Sequence, residues 1–138
     1  MHQIEAHPAF PQIAAIRLAS SFGIKVVAHT ALGGPGLDGF GSLASDPLSI
    51  AAASRLSGDK NRLGEQVAPL LLQWAFRRGT GVVVSSSHPD RMLRLASVAN
   101  TTGISNAAID AAALLDHIPV NRHRRRVNPE PFVFLFED

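Results

Sequence analysis

The groups in this chain that could do chemistry are six histidines, a serine triplet at Ser85-Ser86-Ser87, a glycine-rich stretch at Gly34-Pro-Gly36-Leu-Asp-Gly39 and the polar residues of HQIEAHP at 2–8. No two histidines stand at H-x-x-x-H spacing, and no acidic residue completes a recognised ligand pattern, so a dedicated zinc site is not expected. The serine triplet is no nucleophile elbow, because G-x-S-x-G is absent. It stands after a β-branched run and before a helix start. Hydroxyls, backbone N–H groups and the helix dipole could there hold a phosphate, and simple N-capping explains the serines equally well. The glycine stretch formally matches G-x-G-x-x-G, yet Pro35, Gly39 and Gly41 keep the chain irregular until Asp46. In a dinucleotide fingerprint the third glycine lies in the helix it opens. A mobile loop is the better reading, and such a loop can still close over a ligand.

Absences narrow the chemistry further. The chain has no tyrosine, and lysine occurs only at Lys25 and Lys60, so a phenolic proton donor is excluded within it. It also has no cysteine, which excludes disulfides, thiolate metal sites and a Cys nucleophile. Net charge is +2, with much of the arginine in Arg122-His123-Arg124-Arg125-Arg126. That run could meet phosphate or a targeting receptor, but a solvated tail is the plainer reading, and neither nucleic acid nor membrane is expected as a partner. The chain has no basic-then-apolar leader and no apolar stretch of about 18 residues, which points to a cytoplasmic protein.

The elements that must position these groups alternate. In HQIEAHP, Gln3, Glu5 and His7 share one face of a strand and Ile4 and Ala6 the other, and His-Pro ends it. Gln3 reads more readily as a polar filling group of an interior than as a ligand contact. Residues 11–23 place Ala15, Leu18 and Phe22 at helical spacing, with Gly23 as the stop. Residues 24–32 are a short β-branched strand, and Asp46-Pro47 caps a helix reaching about Leu56. In EQVAPLLLQWAFRRG, Val67, Leu70, Leu71 and Trp74 form a core-facing stripe. Pro69 falls near its first turn, Arg77 and Arg78 sit at the negative end of the dipole, and Gly79 stops it. Residues 81–87 make a third strand, His88-Pro89 opens a helix, and Ser105 caps a last one. Apolar residues are 46% of the 138, enough for one domain with a core. Strands alternating with helices imply a parallel sheet, and three central strands with two open edges imply part of a larger sheet.

Together these pieces resemble the C-terminal half of an aldo-keto reductase. HQIEAHP resembles that family's N-Q-I-E-x-H-P sixth strand, and GIKVVAHTALG its G-I-x-V-x-A-Y-S-P-L-G seventh. QVAPLLLQWAFRRG resembles T-P-A-Q-V-L-L-R-W-A-L-Q-R-G, and VVVSSSHPDRM the eighth strand and the start of its helix. The resemblance implies an α/β chain carrying about three strands of a (β/α)8 TIM barrel over residues 1–120, then a tail or loop over 121–138. It also implies that about five strands, with the catalytic Asp, Tyr, Lys and His, belong to the half not matched here.

The resemblance assigns residues on the cofactor side only. Gln3 takes the place of the glutamine on the nicotinamide carboxamide, and His29 that of a tyrosine stacked on the ring. Thr30, Leu32 and Gly34 fall in the loop around the pyrophosphate. Ser85 and Ser86 replace a Lys-Ser pair at the 2′-phosphate, and Arg91 matches a helix arginine near the adenine. Arg94 and Leu95 replace a Glu-Asn pair. The implied cofactor is NADP(H), with NAD(H) not excluded by the missing lysine, and the implied substrate a small carbonyl compound. Without the proton donor, the chain alone is expected to be inactive. A dimerisation module through exposed sheet edges, or a weak nucleotide-binding remnant, is the alternative.

Overall fold

The computed structural model describes residues 1–34, 42–56, 63–100 and 106–119. The glycine stretch from Pro35 to Gly41, the polar bridge 57–62, the cap Ser105, the basic run 122–126 and the tail 121–138 lie outside the described residues.

Three strands form one parallel sheet in the order β1 (His2–Glu5), β2 (Val26–His29), β3 (Gly81–Val82). Gln3 stands opposite Val27, Glu5 opposite His29, and Ala28 opposite Val82. Each strand is shorter than the stretch the sequence predicts for it. After Glu5, His7 and Phe10 exchange backbone hydrogen bonds of 3.2 and 2.7 Å around Pro8. This turn draws the chain off the ladder, where proline has no donor to offer. β2 stops because Thr30 adopts φ 54, a left-handed conformation that a ladder cannot continue. Beyond β3, Val83 still donates to the Ala28 carbonyl at 2.9 Å. The Ser86 hydroxyl then accepts from His88 N–H at 3.1 Å, and a local turn competes successfully with the sheet.

The helices are α1 (Ile13–Ser21), α2 (Pro47–Ser54), α3 (Leu63–Arg77), α4 (Pro89–Asn100) and α5 (Asn106–Leu114). The two that lead back into strands end alike. Gly23 (φ 67) donates to Ser20 at 3.0 Å and Ile24 to Ala19 at 2.9 Å; Gly79 (φ 70) donates to Phe76 at 2.9 Å and Thr80 to Ala75 at 3.4 Å. Both are Schellman caps with glycine at the left-handed position, as the glycines at 23 and 79 predict. Pro69 differs from expectation: α3 begins at Leu63, so the proline lies inside the helix and one rung of its ladder has no donor.

Among the described residues, the helices pack against one side of the sheet. Ile4, Ala6, Ala28, Val82 and Val84 meet Leu72 of α3 and Leu95 of α4. α1 lies on that side too, sharing a crevice with Val26 and Gly79. On the other side Gln3, Gly81 and Val83 are exposed. A second cluster joins the far face of α3 (Val67, Leu70, Leu71, Trp74) to Ala52 and Ala53 of α2 and Ala111 and Ala112 of α5. The predicted stripe of α3 is therefore all buried. That of α1 is not: Leu18 is 63% and Phe22 74% exposed, and Ala19 is the residue of α1 that packs inward. No helix among the described residues is long and apolar enough to cross a membrane.

Asp46 caps α2 as predicted, accepting from Leu48 N–H at 2.9 Å and Ser49 N–H at 3.4 Å. The Ser49 hydroxyl is buried with no hydrogen-bond partner among the described residues. In urea denaturation, Asp46→Ala should lose about 1 kcal/mol with the cap. Ser49→Ala should be neutral or stabilising, because it removes a buried unsatisfied hydroxyl. A loss in Ser49→Ala equal to that in Asp46→Ala would contradict this assignment.

Candidate functional site

Parallel strands point their carboxyl ends one way, and in α/β proteins ligands gather there. In this chain that end collects Glu5 and His7 from β1 and its turn, His29 and Thr30 from β2, and Ser85 and Ser86 after β3. The two sides of the sheet are chemically different at this edge. The register that sets Glu5 opposite His29 also sets Gln3 opposite Val27, so Gln3, Glu5 and His29 share the face that no described helix covers.

Glu5 and His7 are both buried, and His7 Nε2 donates to Glu5 Oε1 at 3.2 Å. The Phe10 ring lies beside the imidazole, with ring centroids 6.3 Å apart. Two groups that are costly to desolvate singly are thus placed together, at the point where the strand becomes a turn. The signal for this pair was in the sequence: a carboxylate and an imidazole two positions apart on one strand face. Its burial was not, since that depends on Pro8 and Phe10 folding back.

The loop after β2 is tightly determined. His29 Nδ1 and Thr30 Oγ1 are hydrogen-bonded at 2.9 Å. Gly33 N–H donates to the Thr30 carbonyl at 2.7 Å, and Gly33 and Gly34 adopt φ 79 and 58. A Cβ on Gly33 would overlap the Leu43 side chain, so the loop is pressed against the turn Leu43–Ser45 and only glycine fits. Leu32 packs against both core clusters, which leaves its backbone as the group it can offer a ligand.

The remaining predicted residues are spread more widely. Gln3 is exposed on the open face among the described residues. Ser85 is exposed, and Ser86 is half-buried and already engaged as an acceptor. Arg91, in the first turn of α4, is exposed and has no ion-pair partner among the described residues. Arg94 is exposed and lies 3.6 Å from Glu65, and Leu95 belongs to the core. Among the described residues no three His, Asp or Glu side chains could hold a metal ion.

A second polar cluster lies on the helical side. Trp74 Nε1 and Arg78 Nη2 both donate to Asp116 Oδ1 at 2.7 Å, and the Arg78 guanidinium stacks 3.9 Å from the Trp74 ring centre. Trp74 and Arg78 are one helical turn apart and legible as neighbours. Asp116 arrives from 38 residues beyond Arg78, and nothing local in the sequence announces it.

No family model matches the chain. Curated proteins do. It is 34% identical over 93 residues to an NAD(P)H-dependent D-xylose reductase of Hypocrea jecorina (65% of this chain, 28% of that protein). It is 32% identical over 94 residues to an NADP-dependent D-sorbitol-6-phosphate dehydrogenase of Malus domestica (65% and 28%). An aldo/keto reductase of Synechocystis sp. is 28% identical over 128 residues, 93% of this chain and 37% of that protein. The chain spans about a third of the length of the curated relatives it matches.

Glu5→Ala should cost about 1–3 kcal/mol in chemical denaturation, the penalty of removing a buried hydrogen-bond acceptor. Gly33→Ala should cost about 2 kcal/mol or more, combining a disallowed φ with overlap on Leu43. A change below about 0.5 kcal/mol in either variant would show that these contacts do not hold the carboxyl edge.

Proposed function

With its resemblance to aldo-keto reductases as the premise, we propose that this chain is the cofactor-side part of a (β/α)8 reductase barrel. The observation that carries the proposal is the common placement of His29, Thr30, Ser85 and Ser86 at the carboxyl edge of one parallel sheet. Among the described residues, helices lie on one side of the sheet only, which also supports it. A barrel strand meets helices outside and other side chains inside, whereas a doubly wound sheet is covered on both faces.

The donor set suits an anionic dinucleotide. Hydroxyls at Thr30, Ser85 and Ser86, the Gly34 backbone N–H and the Arg91 guanidinium are all donors, and none carries negative charge. On this reading the loop after β2 holds the pyrophosphate, and the start of α4 with Ser85, Ser86 and Arg91 holds the adenosine end. Gln3 and His29 face the nicotinamide from the open side of the sheet. NADP(H) is the expected cofactor, with NAD(H) compatible because Ser85 stands where a lysine would favour the extra phosphate. The cofactor would supply hydride for a small carbonyl substrate. The chain has no tyrosine to supply the accompanying proton, so carbonyl reduction is not expected from it alone.

A second reading has its own observation: Leu18 and Phe22 of α1 and Val83 beside the open sheet face are exposed apolar groups, which a second copy could cover. Light scattering separates the readings, since a monomer at every concentration removes the second.

NADPH fluorescence titration of the purified chain should show weak, saturable binding that Arg91→Ala weakens roughly tenfold, the effect of one hydrogen bond to a charged group. NADPH oxidation with an aldehyde should be absent. No saturable binding would remove the cofactor assignment, and turnover free of host reductases would remove the inactivity.

A further inference from the structure

β2 leaves the sheet through a β-branched residue in a conformation that suits glycine or asparagine. Thr30 has φ 54, where such a side chain is rarely held. An outlier of this kind persists only when its surroundings over-determine it. Two contacts do so here. Gly33 N–H donates to the Thr30 carbonyl at 2.7 Å, and Thr30 Oγ1 stands 2.9 Å from His29 Nδ1. Both His29 and Thr30 are half-buried. The backbone thus sets one hydroxyl against one ring nitrogen, where the cofactor reading puts the pyrophosphate beside Thr30 and the nicotinamide beside His29.

Proton counting limits what this pair can do. A threonine hydroxyl has one proton and two lone pairs, and a neutral imidazole has one proton shared between two nitrogens. If the hydroxyl donates to Nδ1, the ring keeps its proton on Nε2, and the hydroxyl has none left for a phosphate. If the hydroxyl donates to a phosphate oxygen, its bond to the ring survives only when Nδ1 carries the proton. A ring nitrogen is more basic than a hydroxyl oxygen, so without an anion the hydroxyl donates. Hydrogen bonds to ionised acceptors are about twice as strong as neutral ones, so a phosphate wins that proton. We propose that an anion arriving at Thr30 reverses the Thr30–His29 hydrogen bond. In the free chain Oγ1–H donates to Nδ1; with pyrophosphate bound, Oγ1–H donates to the anion and Nδ1–H donates to Oγ1. One proton leaves Nε2 for solvent as another arrives at Nδ1, so the neutral ring gains none. Thr30 is then a positioning residue for His29, coupling the loop after β2 to a ring on the sheet face that also carries Gln3. Filling the loop changes Nε2 from donor to acceptor, and the coupling is reciprocal. The inference rests on the cofactor reading above.

Nitrogen NMR of the isotope-labelled full chain tests it, with inorganic pyrophosphate as the probe. The pH is held at about 8, above the usual imidazole range. The His29 ring signals are those lost in His29→Gln. Before addition, Nδ1 should be bare and Nε2 protonated. Pyrophosphate should shift the Gly34 amide saturably and convert Nδ1 to the protonated type. Thr30→Val should keep the Gly34 response, weaken pyrophosphate roughly tenfold through one lost hydrogen bond to a charged group, and abolish the change at His29. Thr30→Ser should restore it. If Thr30→Val fails to fold, the spectra of the unaltered chain decide alone. A saturable Gly34 shift with His29 unchanged would overturn the reversal and leave the cofactor reading standing. No response at Gly34 would remove both.

Discussion

The structure depends on α3 being buried on both sides. The three strands contribute only a few paired residues each, too little for a sheet to persist alone. α3 supplies what the sheet lacks. Leu72 and Phe76 pack toward the strands, while Val67, Leu70, Leu71 and Trp74 pack toward α2 and α5. Each fully buried side chain of this size is worth about 1.5–3 kcal/mol, so this one helix carries a large share of the driving force. Small residues make it workable: Ala52, Ala53, Ala111 and Ala112 let the neighbouring helices come close to the bulky stripe.

From that helix the site follows by geometry. α1 and α3 both end in glycine caps of the same kind and both deliver the chain into a parallel strand. Repeating one helix-to-strand exit keeps the strands in step and sends their carboxyl ends to a common edge. The loop after β2 is then held from behind by Leu43, against which Gly33 has no room for a side chain. Candidate ligand groups at Thr30 and Gly34 are therefore set by a contact made on the core side, which is how a loop can present backbone donors in a fixed arrangement.

Polar groups inside the fold obey the same rule of placement. Glu5 and His7 are hydrogen-bonded to each other at the strand end, and Asp116 accepts from both Trp74 and Arg78 where two helical segments meet. The first pair is local and ties a turn to its own strand. The second is long-range and closes α3 against the end of α5. Among the described residues the buried Ser49 hydroxyl and Gln73 Oε1 are exceptions, with no hydrogen-bond partner.

The sequence by itself determined which elements form and where α1 and α3 stop. Period-two and helical patterns, Asp46-Pro47, Gly23 and Gly79 act through nearest neighbours, and the structure puts caps and stripes at those residues. It also determined the chemical inventory, including the missing phenol. Strand lengths were less legible, because Thr30 and Ser86 break the ladder through backbone geometry and local hydrogen bonding that β-branched runs do not report. The exposure of Leu18, Phe22 and Gln3, the burial of the Glu5–His7 pair and the arrival of Asp116 at Trp74 were decided only by tertiary structure. Periodicity states which residues share a face, but which face meets a partner depends on segments distant in the chain, and no local pattern encodes that distance.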